Sequence, residues 1–202
     1  MSNDLEKWVN KKETSRELIT DSLIQKFEAC LSADVDLSNL LGLHWCLAQP
    51  IESNINLSED GHIKKGNFMP PIPLEQRMWA SSSIKFYKNL SSLNEIKRVV
   101  PDNKMLFRFS AITFNSHRIH YDKDYATEKE SYPNLVVQGP LIACLAMNLI
   151  QSNNLKHHLK EFKFKNVSPA FVNESINIYA DEGEVIVSND KNQILMIGNY
   201  KF

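Results

Sequence analysis

Little in this chain of 202 residues ties it to a membrane, a nucleic acid or an oxidising compartment. Charge of one sign is missing: 23 basic residues face 24 acidic ones, so the net charge of -1 gives no electrostatic footprint for nucleic acid or an anionic surface. Long hydrophobic runs are missing as well. Leu141–Ile150 is apolar except for Asn148, yet it is far shorter than the roughly 20 residues a membrane-crossing helix needs. The opening Met1-Ser2-Asn3-Asp4-Leu5-Glu6-Lys7 lacks the basic-then-apolar pattern of a secretory leader, and the cytoplasm is the expected compartment. Cysteine is scarce and odd in number. Cys30, Cys46 and Cys144 share no C-x-x-C spacing and lie in apolar surroundings, which reads as reduced structural thiols rather than a metal or redox centre. No segment is of low complexity. What remains, 43% hydrophobic and 23% charged, is an ordinary globule with room for one large domain or two small ones.

The clearest element is the apolar run itself. A helix over Leu141–Ile150 is greasy on nearly every face and has to be surrounded by protein. Gly139-Pro140 marks its start, because proline at the first helical position gives up an N–H that has no partner there anyway. Free N–H groups and the positive end of the helix dipole then face whatever precedes Leu141. Upstream, Leu23, Ile24, Phe27, Cys30 and Leu31 draw one helical stripe behind Thr20, an N-cap residue type. Leu40–Leu47 is apolar but interrupted by Gly42 and commits to no period. Residues 51–73 are loop-like and proline-rich.

Ile84, Phe86 and Leu90 suggest a strand, and Ile96–Val100 a second one. Leu106–Phe114 fits both periods. Phe107, Phe109 and Ala111 alternate, while Leu106, Phe109, Ile112 and Thr113 share a helical face. After the polar stretch Leu155–Lys160 the tail reads as an antiparallel meander over 162–164, 176–180, 185–187 and 194–197. Turn residues Asp181-Glu182-Gly183 and Asn189-Asp190-Lys191-Asn192 separate its later members. One buried helix followed by strands is an α+β plan in which the sheet can wrap the helix.

Between them, Asn115-Ser116-His117-Arg118-Ile119-His120 packs an asparagine, two histidines and an arginine into six residues beside a core element. On the residues alone, His120 reads as a structural histidine packed beside Tyr121. A metal cluster of His117, His120 and Asp122 is disfavoured by the cationic Arg118 between the histidines, so no metal is expected. His44, His62, His157 and His158 read as surface or core residues.

The segments Arg108-Phe109-Ser110-Ala111-Ile112-Thr113-Phe114-Asn115-Ser116-His117-Arg118-Ile119-His120-Tyr121-Asp122, Tyr132-Pro133 to Gly139-Pro140, and Arg77-Met78-Trp79-Ala80 resemble the β-hydroxyacyl-thioester dehydratases and mesaconyl-CoA hydratases of the MaoC-like hot-dog superfamily. Weaker similarity around Trp8, Thr20 and Trp45 extends the resemblance over most of the chain. It implies a double hot-dog of class α+β: residues 1–100 would form a first unit, degenerate or shortened, and residues 101–202 the unit carrying the active site. It also tips Leu106–Phe114 towards helix. The implied activity is hydration or dehydration of an acyl thioester, CoA-linked by preference, with neither metal nor redox cofactor.

In that reading His120 is the base, Asn115 holds the water and the Gly139 amide receives the oxyanion. Arg118 and His117 lie at the substrate, Arg118 facing a substrate carboxylate or, equally, Asp122. Arg77 and Trp79 line the acyl path or simply pack together. The implied partner is a small acyl thioester, and a homodimer is compatible. Two departures stand out. Related (R)-specific hydratases carry an aspartate five residues before the histidine, where this chain has Asn115, and an amide can orient a water but cannot accept its proton. Strands of the first unit expected between Val100 and Pro101 are missing. An acyl-carrier-protein dehydratase and a non-catalytic acyl-binding protein remain the alternatives.

Overall fold

The computed structural model describes residues 5–31, 40–66, 68–72, 79–85, 98–181 and 183–202. Arg77, Phe86, Leu90 and Ile96 lie outside them. Among the described residues three helices and six strands form one α+β unit: α1 (Asp21–Leu31), β1 (Ser81–Lys85), β2 (Arg98–Val99), α2 (Asn103–Ile112), α3 (Gly139–Ser152), β3 (Glu161–Asn166), β4 (Ile176–Asp181), β5 (Glu184–Asn189) and β6 (Ile194–Lys201).

α3 is the axis of the molecule. Every residue from Leu141 to Ser152 is buried, as an all-round apolar sequence requires. Its single mid-helix amide, Asn148, is satisfied on its nitrogen by the carbonyls of Leu41 and Cys144. Around it lies an antiparallel sheet in the order β1-β3-β6-β5-β4-β2. Phe162, Phe164, Ile176, Ile178, Val185, Val187, Leu195 and Met196 point from that sheet into the common core. An antiparallel sheet wrapped on one buried helix is the hot-dog arrangement.

The tail is not a simple meander. β4, β5 and β6 follow one another as hairpins, but β3 pairs with β6 and not with β4. The connection 167–175 therefore crosses to the far side of the sheet, where Val136 bridges Phe171 and Val137 donates to the Ala170 carbonyl. β1 and β2, from the N-terminal half, close the two edges of this same sheet by pairing with β3 and β4.

α1 starts where the Thr20 hydroxyl accepts from the Leu23 N–H, and it buries Phe27, Cys30 and Leu31. α2 is capped by Asp102, whose carboxylate accepts from the Met105 N–H at 2.8 Å; Leu106 and Phe109 face inward while Phe107 is exposed. The uncertain stretch at 40–47 is a 3-10 turn, Leu43–Cys46, entered through Gly42 at φ 98°. A Cβ there would strike the Cys144 thiol, so glycine meets both the backbone and the packing requirement. All three cysteines are buried and unpaired, and burial pushes the Cys30 and Cys46 thiols up to about 12. Such thiols are inert at neutral pH. Among the described residues no helix is long and apolar enough to cross a membrane.

Candidate functional site

The histidine loop begins where α2 ends. Phe114 adopts a left-handed conformation, φ 49°, and the Asn115 N–H reaches back to the Ser110 carbonyl at 2.8 Å. That bond closes a helix terminus that usually carries glycine. A phenylalanine held there is local strain that the surrounding loop has to offset. Asn115 then turns the chain: its Oδ1 accepts from the His117 N–H at 3.0 Å, the backbone-mimicking turn that short amide side chains favour. Asn115 thus shapes the loop through its oxygen, and its Nδ2 is the donor it can offer a water.

His120 ends the following 3-10 turn, Arg118–His120, and is 7% exposed. Its Nδ1 lies 2.7 Å from the Val136 carbonyl. A carbonyl only accepts, so Nδ1 carries the proton and Nε2 keeps its lone pair. Burial lowers the ring's pKa to about 4 from 6.5, against the raising effect of the Val136 bond, and His62 pushes it further down. The ring is therefore a neutral base of fixed tautomer. The turn is tied to the same segment again where the Val136 N–H donates to the Ile119 carbonyl. Val136 stands three residues before Gly139, the first residue of α3, so imidazole and helix start share one short stretch of chain.

Gly139 and Leu141 bear N–H groups of the first helical turn, which have no partner within the helix. The side chain of Asn166 on β3 lies directly against Gly139, leaving no room for a Cβ. Gln138, 1% exposed, braces the helix start: its Nε2 donates to the Leu106 carbonyl and the Ser110 hydroxyl of α2, both at 2.9 Å. Its Oε1 has no hydrogen-bond partner. Nothing in the sequence pattern singled out this glutamine, because its role depends on α2 lying beside the start of α3.

Arg118 takes the loop-bridging alternative. Its Nη2 and Nε lie 2.7 and 3.0 Å from Asp122 Oδ2, its Nη1 donates to the Glu59 carbonyl, and its guanidinium covers the Tyr125 ring at 4.2 Å. A substrate carboxylate would have to displace Asp122. Trp79 is 47% exposed, donates from Nε1 to the Ser82 hydroxyl and meets Trp45 edge-on at 6.2 Å; its pairing with Arg77 lies outside the described residues.

The structure also brings in residues that the sequence placed elsewhere. His62, expected to be a bystander, stacks against His117 with ring centroids 4.0 Å apart, and His117 meets His120 at 5.4 Å. His117 is 5% exposed. His62 Nδ1 lies 2.9 Å from Oδ2 of buried Asp60. The turn carrying Asp60 and His62 is clamped to the loop: the Arg118 N–H donates to the Asp60 carbonyl at 2.8 Å, and the Ser116 hydroxyl donates to the Gly61 carbonyl. Gly61, at φ 88°, rests on the Ser116 carbonyl where a Cβ could not fit. Asp60, His62 and His117 each offer one donor atom within 4.8 Å of the others, a spacing that suits a cation as well as a hydrogen-bonded array.

Comparison with known proteins fits this geometry. The family model for hydroxyacyl-thioester dehydratase type 2 matches residues 42–99 and 91–172, which include Asp60, His62, the histidine loop and the start of α3. The chain is 31% identical to a mesaconyl-C(4)-CoA hydratase of Chloroflexus aurantiacus over 199 residues, covering 63% of this chain and 69% of the relative. Since 63% of 202 residues cannot fill 199 positions, that relative carries residues inside the matched stretch that have no counterpart here. It is 42% identical over 84 residues to a mitochondrial hydroxyacyl-thioester dehydratase type 2 of Schizosaccharomyces pombe, covering 41% of this chain and 28% of that one. Among solved structures, an (R)-hydratase of A. caviae aligns with TM-score 0.43 and 14% identity over 62% of this chain and 96% of its own. With the family model matched over well more than half of the chain, the chain belongs to the hydroxyacyl-thioester dehydratase type 2 family.

Proposed function

We propose that the protein is a hydro-lyase that adds water to, or removes it from, the α,β-bond of an acyl thioester, with His120 as its base. The observation that carries this is the His120 ring: neutral, and fixed through Nδ1 on the carbonyl of Val136, which stands three residues before Gly139 at the start of α3. Hydration needs a lone pair to take the water's proton and donors where enolate charge grows on the thioester oxygen. Nε2 of His120 supplies the first, and the amides of Gly139 and Leu141 the second. Asn115 Nδ2 is the donor placed to orient the water.

CoA is the carrier we favour, by likeness to the C. aurantiacus relative named a mesaconyl-C(4)-CoA hydratase. A dicarboxylyl group is supported by that relative's name and not by Arg118, which is engaged by Asp122. Acyl-carrier-protein substrates are the second reading, favoured by the dehydratase name of the S. pombe relative. The reaction transfers no electrons and calls for no redox cofactor or metal. Residues 1–100 are read as the remnant of a first hot-dog unit and 101–202 as the catalytic unit, supported by the residues the C. aurantiacus relative has and this chain lacks. A homodimer is the assembly, and the cytoplasm the compartment, that we carry forward; the S. pombe relative is named as mitochondrial.

The test follows the enoyl-thioester absorbance in a panel of enoyl-CoAs that varies chain length and terminal carboxylate. Wild-type protein bleaches the chromophore, and His120→Ala lowers kcat by about 100-fold or more. Binding without turnover across the panel would leave only an acyl-binding protein.

A further inference from the structure

Asn115 leaves a gap in the chemistry. Adding water moves two protons, one off the water and one onto Cα, and an amide can do neither. His120 accounts for one. The other can return from the same ring or come from a second titratable group near it, and the structure brings one to the loop from outside.

We propose that His62, oriented by Asp60, is the second acid–base of this site. The proposal rests on the reading of the protein as a hydro-lyase. Its ground is the turn 58–62, whose contacts serve to hold it on the histidine loop. The Gly61 N–H donates to the Ser58 carbonyl and the Ser58 N–H to the His62 carbonyl, closing the turn, while the Arg118 N–H and the Ser116 hydroxyl donate to the Asp60 and Gly61 carbonyls and hold it on the loop. Gly61 permits an approach to Ser116 that any side chain would block. This docking places two side chains at the loop.

Asp60 gives both its oxygens to His62, Oδ1 accepting from the backbone N–H at 3.0 Å and Oδ2 facing Nδ1 at 2.9 Å. The ring is thereby fixed through Nδ1, as His120 is fixed by Val136, and its Nε2 is the reactive end. The same geometry favours a hydrogen-bonded pair over a cation among Asp60, His62 and His117, since both carboxylate oxygens are turned on the histidine. The side chain of His62 keeps 29% exposure, so substrate and solvent can reach it.

The protons balance. As the water oxygen bonds to Cβ, its proton goes to Nε2 of His120, and the electron pair of the double bond moves towards the thioester oxygen. The imidazolium of His62, held against Asp60, then gives its proton to Cα and the thioester carbonyl re-forms. The two rings carry one proton between them before and after, first on His62 and then on His120. His117, in contact with both rings, lies on the return path.

The experiment measures enoyl-CoA hydration by the full chain with crotonyl-CoA and mesaconyl-CoA, for His62→Gln, His62→Ala and Asp60→Asn, with thermal melts as a fold check. Expected are a kcat lower by about 100-fold for His62→Gln with KM kept, and by at least about tenfold for Asp60→Asn. Added imidazole restores turnover to His62→Ala, a response that loss of a merely structural ring would not give. Wild-type activity with unaffected His62→Gln overturns the assignment and leaves the hydro-lyase reading intact. Wild-type inactivity on both thioesters removes both. Stoichiometric uptake of Zn²⁺ by wild type, lost in Asp60→Asn, would replace the acid–base pair with a metal site and overturn the proposal.

Discussion

His120 and His62 are the same side chain held by the same ring nitrogen in two different regions of the molecule. His120 is inside the C-terminal half, where Nδ1 meets a peptide carbonyl and burial holds the ring neutral. His62 sits on a surface turn of the N-terminal half, where Nδ1 meets a carboxylate and one edge stays open. A carbonyl fixes a tautomer without offering charge. A carboxylate fixes the same tautomer and also stabilises an imidazolium, so the acceptor decides what each ring is for.

The largest test of that contrast is acid titration of stability. The folded-state pKa of His120 lies below its unfolded value, about 4 against 6.5, so the unfolded chain binds the proton first as pH falls. Stability is then fully present above pH 6.5, drains away down to about pH 4, and levels off below it as far as this group is concerned. The amount is on the order of 3 kcal/mol by the usual 1.36 kcal/mol per pKa unit. Asp102 and Asp122, whose carboxyls are held below their usual value of 3.8 by backbone N–H bonds, act in a lower window and do not confuse the reading. Denaturant unfolding at stepped pH should show this slope in wild type and a flattened one in His120→Gln, where the remainder comes from His44, whose pKa burial also lowers from 6.5. A slope unchanged by His120→Gln would mean that the ring is not held neutral by the fold.

The two regions also differ in how far the chain announces them. α3 was legible because ten near-continuous apolar residues behind Gly139-Pro140 allow few other structures, and the strand positions of the tail followed from alternation and turn residues. The order of those strands was not. Local pattern cannot say that β3 pairs with β6, since that depends on the connection 167–175 crossing the sheet. Asn115, His117 and His120 are neighbours in sequence and could be singled out together. Asp60 and His62 lie more than fifty residues away, and only the folded turn with Gly61 on Ser116 brings them to the loop. Gln138 escaped for the same reason, because its partners are on α2.

A smaller effect belongs to the helix start, where packing and chemistry meet. Gly139→Ala drives a Cβ into the side chain of Asn166, whose Nδ2 also holds the Trp79 carbonyl. Overpacking of this kind typically costs about 1–3 kcal/mol, lessened here because the obstacle is the end of a flexible side chain. Adding Asn166→Ala should return the lost stability in denaturant melts. Hydration rate then separates the two roles of the glycine: recovery with the second substitution makes Gly139 a packing requirement, while a deficit that persists at restored stability means that a Cβ there obstructs the oxyanion position.

The smallest effect is expected at Arg118, even though it stands between two histidines. Its bridge to Asp122 joins side chains that are 34% and 27% exposed, and half-exposed pairs of this kind contribute little and are screened by salt. Arg118→Ala should therefore lower the melting temperature less than any other substitution above, with the difference shrinking at high ionic strength. The informative readout is specificity. If Asp122 fully occupies the guanidinium, the ratio of kcat/KM for mesaconyl-CoA over crotonyl-CoA stays as in wild type when Arg118 is removed. A selective loss of the dicarboxylyl substrate would mean that its carboxylate takes Asp122's place in the bound state, and the N-terminal turn, whose Glu59 carbonyl accepts from the same guanidinium, would then have to shift as substrate enters.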